Sequence, residues 1–451
     1  MTFGPPLLDD AVRRLDGDRV LLGGSPRRLL TLSEKARGVL ARGDWDLPSG
    51  RALARKLIDA GFAHPTPRGG PAPDQVSVVI PVRDREDALA RLLAGLDPAL
   101  EVIVVDDGSR EPMPGAALRH PTAQGPAAAR NAGIARATRP FIAVLDSDVV
   151  VPSGWLNALL PHFLDPRVGA VAPRIVAARG VCGEDSSAIS RLLARYDAVR
   201  SPLDLGGRPA RVEPGSRVSY LPAAALLLRR SALGEQRPFF DEDLRFGEDV
   251  DLVWRLVEAG WTVRYEPSSA VGHAHRTTLR AAAAQRFSYG SSAAPLQARH
   301  PAKLAPFAVN RWTLAAWSLL AIGHPRAAAT SLAAATVRLS RALPVRRPLP
   351  LAAELVGGGT LAAGRALGEA LWRPYAPLAL TLSAAGGRRG RRIAAAALLV
   401  PAAVEYRRLR PDLDPLRWTI LRTADDLAYG AGVWAGCLRH RSFAALRPRL
   451  S

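Results

Sequence analysis

Two aspartates separated by one serine close an apolar run. In FIAVLDSDVVVPSGWL, residues 141–156, Asp146 and Asp148 stand at the end of what reads as a buried strand. Ionised carboxylates in such a place are costly to desolvate unless an opposite charge holds them. Two carboxylates at i and i+2 can bind one hard divalent cation, Mg²⁺ or Mn²⁺, and the phosphates it bridges. Such a cation would neutralise a diphosphate leaving group. The alternative use for the pair is to cap the PSGW segment that follows.

Three further groupings have chemistry-bearing types. Glu248 and Asp249 begin the amphipathic run EDVDLVWRLVEAG. They are either charges placed at a helix N-terminus or a general base for an attacking hydroxyl. His273 and His275 lie two apart in VGHAHR. One imidazole there could complete a metal shell if the DSD stretch is near. VVDDGS carries Asp106 and Asp107; one is expected to cap its turn, leaving the other to accept hydrogen bonds from a base or a ribose. Arg130, in GPAAARNAG, suits a phosphate or a uracil edge or is simply exposed.

These residues need elements to gather them. VSVVIP, EVIVV, FIAVL and VGAVAPRIV read as strands; REDALARLLAGL, GPAAARNAGIARA, PSGWLNALLPHF and VDLVWRLVEAG read as helices. Apolar strands alternating with helices predict an α/β domain with a mostly parallel, Rossmann-like sheet. Ligands of open α/β sheets bind outside the carboxyl ends of the strands. Pro81 and Arg83, then Asp106 and Asp107, then Asp146 and Asp148 follow three successive strands, so one sheet edge collects them.

The organisation predicted is a small module at 1–66, a Pro/Gly-rich linker at 67–75, an α/β domain at 76–300 and an Ala/Arg-rich helical region at 301–451. In the first module, DRVLLGG and RRLLTL read as a hairpin, Ser33 as a helix N-cap and Gly43 as that helix's end. Leu53, Leu57 and Ile58 share one face of a second helix.

The net charge of +20 is uneven: residues 301–451 carry 22 Lys/Arg against 7 Asp/Glu. Such a region points to an anionic surface or to solvated arginine-rich faces. Its uncharged runs, at 312–325, 327–337, 374–387 and 393–404, fall short of the roughly 18 apolar residues a spanning helix needs. Peripheral membrane contact and an ordinary helical bundle both fit it. Nucleic-acid binding is not expected, because aromatic interleaving is missing. Cys182 and Cys437 form no CxxC motif, and the N-terminus has no apolar secretory core. A cytoplasmic setting follows, with the inner face of the membrane open. Walker A, HExxH, GxSxG and GxGxxG motifs are missing, which argues against an NTPase, zincin, α/β-hydrolase or dehydrogenase.

VSVVIPVRDRED, VIVVDDGS, GPAAARNAGIARA, FIAVLDSDVVVPSGWL and FGEDVDLVWRLVEAGW occur in that order. The chain so resembles the family 2 glycosyltransferases of GT-A fold over about residues 75–290. The resemblance implies an inverting transferase with a nucleotide-sugar donor. It implies nucleotide-sugar contacts at Pro81, Arg83, Asp107, Arg130 and Asp146, and metal contacts at Asp148, Asp146 and His273. It also implies that Asp249 is the base beside Glu248. The early module, QRFSYGSSAAPLQARHP and the Ala/Arg-rich tail are similar to the mycofactocin-system branch of that family. This implies UDP-glucose as donor and a peptide-derived redox cofactor as acceptor; a lipid or envelope glycan is the alternative. Residues 10–66 resemble PqqD-like, winged-helix-like modules. Where many relatives carry Asn after the first strand, this chain has Arg83 and Asp84.

Overall fold

In the computed structural model the described residues are 4–178, 187–234, 238–301 and 303–450. Cys182 lies outside them. The chain divides into two compact units, Met1–Ser186 with Arg200–His275, and Ser187–Val199 with Arg276–Ser451.

The first unit begins with a three-stranded antiparallel sheet, Arg13–Leu15, Val20–Gly23 and Arg28–Thr31, followed by helices Glu34–Arg42 and Pro48–Asp59. Ser33 caps the first helix by accepting the Ala36 amide, and Gly43 ends it in the left-handed region at φ 75°. Leu53 and Leu57 bury against Leu21 and Phe62 to close a small core.

The rest of the unit is built on a nine-stranded sheet. Its strands are β1 (Val76–Val82), β2 (Glu101–Asp106), β3 (Leu118–Arg119), β4 (Phe141–Leu145), β5 (Val149–Val150), β6 (Val168–Ala177), β7 (Ala210–Arg211), β8 (Ala225–Arg229) and β9 (Thr262–His273). The order is β5-β9-β6-β8-β4-β1-β2-β3, with β7 also beside β9. β4, β1, β2 and β3 run parallel, and the mostly apolar β1 and β4, buried along their whole length, suit the interior of such a sheet. β8 enters antiparallel between β4 and β6. The sheet is therefore mixed, with its parallel half under the predicted ligand edge.

Three helices bear on that edge: α1 (Glu86–Ala94), α2 (Pro126–Arg136) and α3 (Glu248–Glu258). Gly133 lets α2 lie against β1, since a Cβ there would come within 2.4 Å of the Val79 side chain. The segment PSGWLNALLPHF departs from the helix expected. It forms turns and a short 3₁₀ helix, Leu160–Leu164. Pro161 supplies no amide and crowds the carbonyl four residues back, so a helix begun at Ser153 cannot run through it.

The second unit is helical, with long helices Pro348–Trp372, Gly387–Leu409 and Pro415–Arg439. Arg422 is fully buried among Glu405 at 2.7 Å, Asp426 at 3.1 Å and Glu369 at 3.3 Å. Trp418, Tyr196 and Leu421 form its apolar centre. Among the described residues, no helix is long and apolar enough to cross a membrane.

Candidate active site

The site starts where β4 ends. The Asp146 amide donates to the Ala224 carbonyl, and its own carbonyl accepts the Val149 amide, folding 146–149 into a tight turn. That turn starts β5, which pairs antiparallel with the end of β9, Val149 opposite His273. The pairing is what brings a residue 125 positions away to the DSD stretch. His273 Nε2 lies 3.2 Å from Asp148 Oδ1. Asp146, Asp148 and His273 each offer a ligand atom, and these atoms lie within 4.8 Å of one another. His273, not His275, is the imidazole in that group.

Asp148 is buried and charged. Burial alone would raise its pKa, yet the His273 contact and the Arg85 guanidinium outweigh it and hold the carboxyl well below the usual range. Arg85 Nη1 donates to Asp148 Oδ2. The run REDALARLLAGL predicts a helix that includes Arg85. Arg85 stands at the cap position of α1.

Arg130 is buried on α2 and reaches two acids. Its Nη2 donates to Asp146 Oδ1 at 2.7 Å and its Nη1 to Glu248 Oε1 at 2.6 Å. Its guanidinium also lies over the Phe240 ring, 5.4 Å from the centroid. Burial opposes its charge, but the two carboxylates more than offset this and raise its pKa. Asn131 next to it fixes the approach to α3. Its Nδ2 donates to the Phe240 carbonyl at 2.8 Å, and its Oδ1 accepts the Phe240 amide at 2.9 Å. Nothing in the one-dimensional pattern marked Asn131.

Glu248 and Asp249 lie in the first turn of α3, where the helix N-terminus favours anions. They are not equivalent. Glu248 is buried and paired with Arg130; burial pushes its pKa up to about 7, with the Asp249 charge adding and Arg130 opposing. Asp249 is half-buried, its Oδ2 accepting the Ala223 amide at 3.1 Å and its Oδ1 the Val250 amide at 2.8 Å. Burial also raises its pKa, against the pull of those amides and of Arg130.

Asp106 and Asp107 both have work inside the fold. Asp106, fully buried, accepts the Ser109 and Met113 amides and pairs with Arg119 at 2.9 Å. Asp107 accepts the Gln124 and Gly125 amides, each at 2.8 Å, and lies 2.8 Å from His120 Nδ1. Pro81 is buried within β1, and Arg83 is exposed beyond its end. Asp84, in the left-handed region at φ 53°, accepts the Arg110 amide at 2.8 Å and ties this loop to the turn after β2.

The sheet thus delivers acids, one imidazole and two guanidinium groups to one edge. The profile described as "Glycosyl transferase family 2" matches residues 77–234. Over 98% of its length the chain is 45% identical to "Pre-mycofactocin glycosyltransferase" of Mycobacterium tuberculosis (strain CDC 1551 / Oshkosh), covering 97% of that protein. The chain belongs to glycosyl transferase family 2. It is also 33% identical, over 42% of its length and 73% of the relative's, to "N-acetylglucosaminyl-diphospho-decaprenol L-rhamnosyltransferase" of the same strain. Among solved structures it is similar to the mannosyltransferase PcManGT from Pyrobaculum calidifontis, in complex with GDP-Man and Mn²⁺. That match has a TM-score of 0.42 and 20% identity, over 82% of this chain and 91% of that one. The fold is GT-A, and the chain is a family 2 glycosyltransferase.

Proposed function

We propose that this enzyme is an inverting glucosyltransferase that moves glucose from UDP-glucose to a hydroxyl of the peptide-derived cofactor mycofactocin, building an oligoglucose chain. The observation that carries the reading is the meeting of Asp146, Asp148 and His273 with the Arg130–Glu248 pair beside Asp249. The 45% identity to a pre-mycofactocin glycosyltransferase, along nearly the whole of both chains, supports the acceptor.

In this account the acceptor hydroxyl attacks the anomeric carbon as its bond to the donor diphosphate breaks. Asp249 takes the hydroxyl proton. The Ala223 and Val250 amides fix its carboxylate, and its raised pKa improves it as a base near neutral pH. Glu248 and Arg130 position it rather than exchanging protons with substrate. Two carboxylates and an imidazole suit Mg²⁺ or Mn²⁺, and their spacing within 4.8 Å fits one ion. Asp148, Asp146 and His273 would hold that ion, which when bound supplies charge neutralisation to the departing diphosphate. Pro81, Arg83 and Asp107 line the nucleotide end. Asp107 does so through the loop at Gln124–Gly125 that it anchors.

A second reading concerns where the enzyme works. On the helix Gly387–Leu409, Leu399, Val400 and Val404 are exposed, 54%, 57% and 47% respectively. Arg391 and Arg392 precede them and Arg407 and Arg408 follow. Apolar side chains between arginines suit the surface of an anionic bilayer, placing the enzyme peripherally at the inner face of the cell membrane, in the cytoplasm. Flotation with vesicles containing anionic lipid tests this: the wild type floats, and Leu399→Asp/Val400→Asp does not.

The test of the chemistry is a nucleotide-release assay over a panel of nucleotide sugars, with Mn²⁺ or Mg²⁺ and the unglycosylated acceptor. UDP-glucose is expected to give the highest turnover, with β-linked glucose on the product. Turnover of a different sugar alone, or an α-linked product, would overturn the assignment.

A further inference from the structure

The acid at the centre of the candidate metal site is already neutralised by the protein. Asp148 has 9% of its side chain exposed, whereas Arg85, which meets its Oδ2, has 43% exposed. A carboxylate this buried needs a cation near it. Arg85 provides one from the solvent side, opposite the Oδ1 that faces His273. Both Asp148 oxygens therefore already have protein partners, Oδ2 in Arg85 and Oδ1 in His273.

The backbone carrying Arg85 is held on both sides, and on the helix side the Arg85 carbonyl accepts the Leu89 amide at 3.0 Å. The Asp84 amide donates to Ser109 Oγ at 3.0 Å, and Asp84 Oδ1 accepts the Arg110 amide. The backbone at Asp84 is so tied to the turn after β2. The Arg85 side chain, long and nearly half exposed, is held at its tip by Asp148 alone among the contacts seen. A guanidinium on a fixed backbone with a mobile stem can leave one anion for another nearby. Its planar donors match phosphate oxygens as well as a carboxylate.

We infer that Arg85 is the resident counter-ion of Asp148, that it competes with the divalent cation for that carboxylate, and that once released it binds the donor diphosphate. This rests on the metal reading given above and adds to it a residue with two successive partners. Before loading, Arg85 keeps the buried acid compensated and lowers the affinity of the site for free metal. With metal and donor present, the same positive charge sits beside the diphosphate. The arrangement makes metal and donor bind together better than either does alone.

Direct Mn²⁺ binding, followed by the loss of the free-ion EPR signal, separates these roles without turnover. Without nucleotide, Arg85→Ala is expected to bind Mn²⁺ about 5- to 10-fold more tightly than the wild type. At saturating Mn²⁺, the same variant is expected to bind UDP about 10-fold more weakly by calorimetry. Arg85→Lys keeps the charge and should restore most of the wild-type Mn²⁺ affinity but not the UDP affinity, because a lysine cannot make the bidentate contact. Unchanged or weaker Mn²⁺ binding in Arg85→Ala, with a wild type that binds Mn²⁺, overturns the competition while leaving the metal site intact. UDP affinity unchanged in that variant overturns the second role. A wild type that binds no Mn²⁺ even with UDP present would instead defeat the metal reading itself. Arg85 is 43% exposed, and a single cooperative melting transition in each variant would show that it is folded.

Discussion

Arg130 and Glu248 are 118 residues apart in the chain and 2.6 Å apart in the fold, and the same guanidinium holds Asp146 at 2.7 Å. One buried cation so ties the first acid of the DSD stretch to the residue preceding the proposed base. Arg130 Nε has no hydrogen-bond partner among the described residues, so the guanidinium is committed to the two acids through its outer nitrogens.

Removing this cation should cost both stability and rate. Breaking a buried ion pair by deleting one partner costs about 3–5 kcal/mol. Arg130→Met is therefore expected to lower stability by an amount in that range, read by urea unfolding. Pairing it with Glu248→Leu should recover part of the loss. Arg130→Lys should rescue less than a conservative change suggests, since one ammonium cannot serve both carboxylates in the same fork.

The acid limb of the activity profile should lie above the ordinary carboxylate range of about 4. Burial raises the pKa of both Glu248 and Asp249. A base acts deprotonated, so turnover should fall as pH drops through the raised values. A pH–rate profile of kcat/KM with UDP-glucose checks this.

Stripping divalent ions with EDTA should abolish turnover, and Mn²⁺ or Mg²⁺ should restore it. In Asp148→Asn the restoration should fail, because the amide replaces the charged oxygen that the ion needs. His273→Ala should weaken Mn²⁺ binding without abolishing it, since two carboxylates are left. Titration of Mn²⁺ against each variant reads the difference.

Acid should destabilise the first unit before it reaches carboxylate pKa values. Burial lowers the pKa of His64 and of His162 below the usual 6.5, against the opposing pull of Asp9 and Glu266. The unfolded chain then takes up protons more readily than the folded one as pH falls below that value. Stability is thus retained above about 6.5 and lost as pH drops through the lower folded values. Melting temperatures between pH 8 and 5.5 should show the decline, and His64→Gln together with His162→Gln should flatten it.

Much of this was legible because the acids follow apolar strands. FIAVL could only be a buried strand, so Asp146 and Asp148 had to emerge at its end, and the DSD, ED and late-histidine positions could be named in advance. The partners were harder to see. The link from Arg130 to Glu248 depends on how α2 and α3 pack, which no local spacing encodes. Arg85 looked like the first turn of an amphipathic helix, and its contact with Asp148 crosses 63 positions. Both acids of VVDDGS are engaged by backbone amides and by Arg119 or His120, although only one was expected to cap its turn. β8 was hidden in an alanine- and leucine-rich run whose direction only the surrounding strands decide. At 152–163 the apolar spacing favours a helix, and the chain instead turns, with Gly154 in the left-handed region at φ 71°, before a short 3₁₀ helix.

Asp249 is proposed to take the acceptor proton in a glycosyl transfer. This role is tested most directly by comparing wild type and Asp249→Asn for UDP binding and for UDP release from UDP-glucose with acceptor. UDP affinity within about 2-fold of the wild type is expected, with a kcat lower by about 10²–10⁴, the usual contribution of a positioned base. Wild-type kcat in Asp249→Asn, with glucose still transferred to the acceptor, would contradict it.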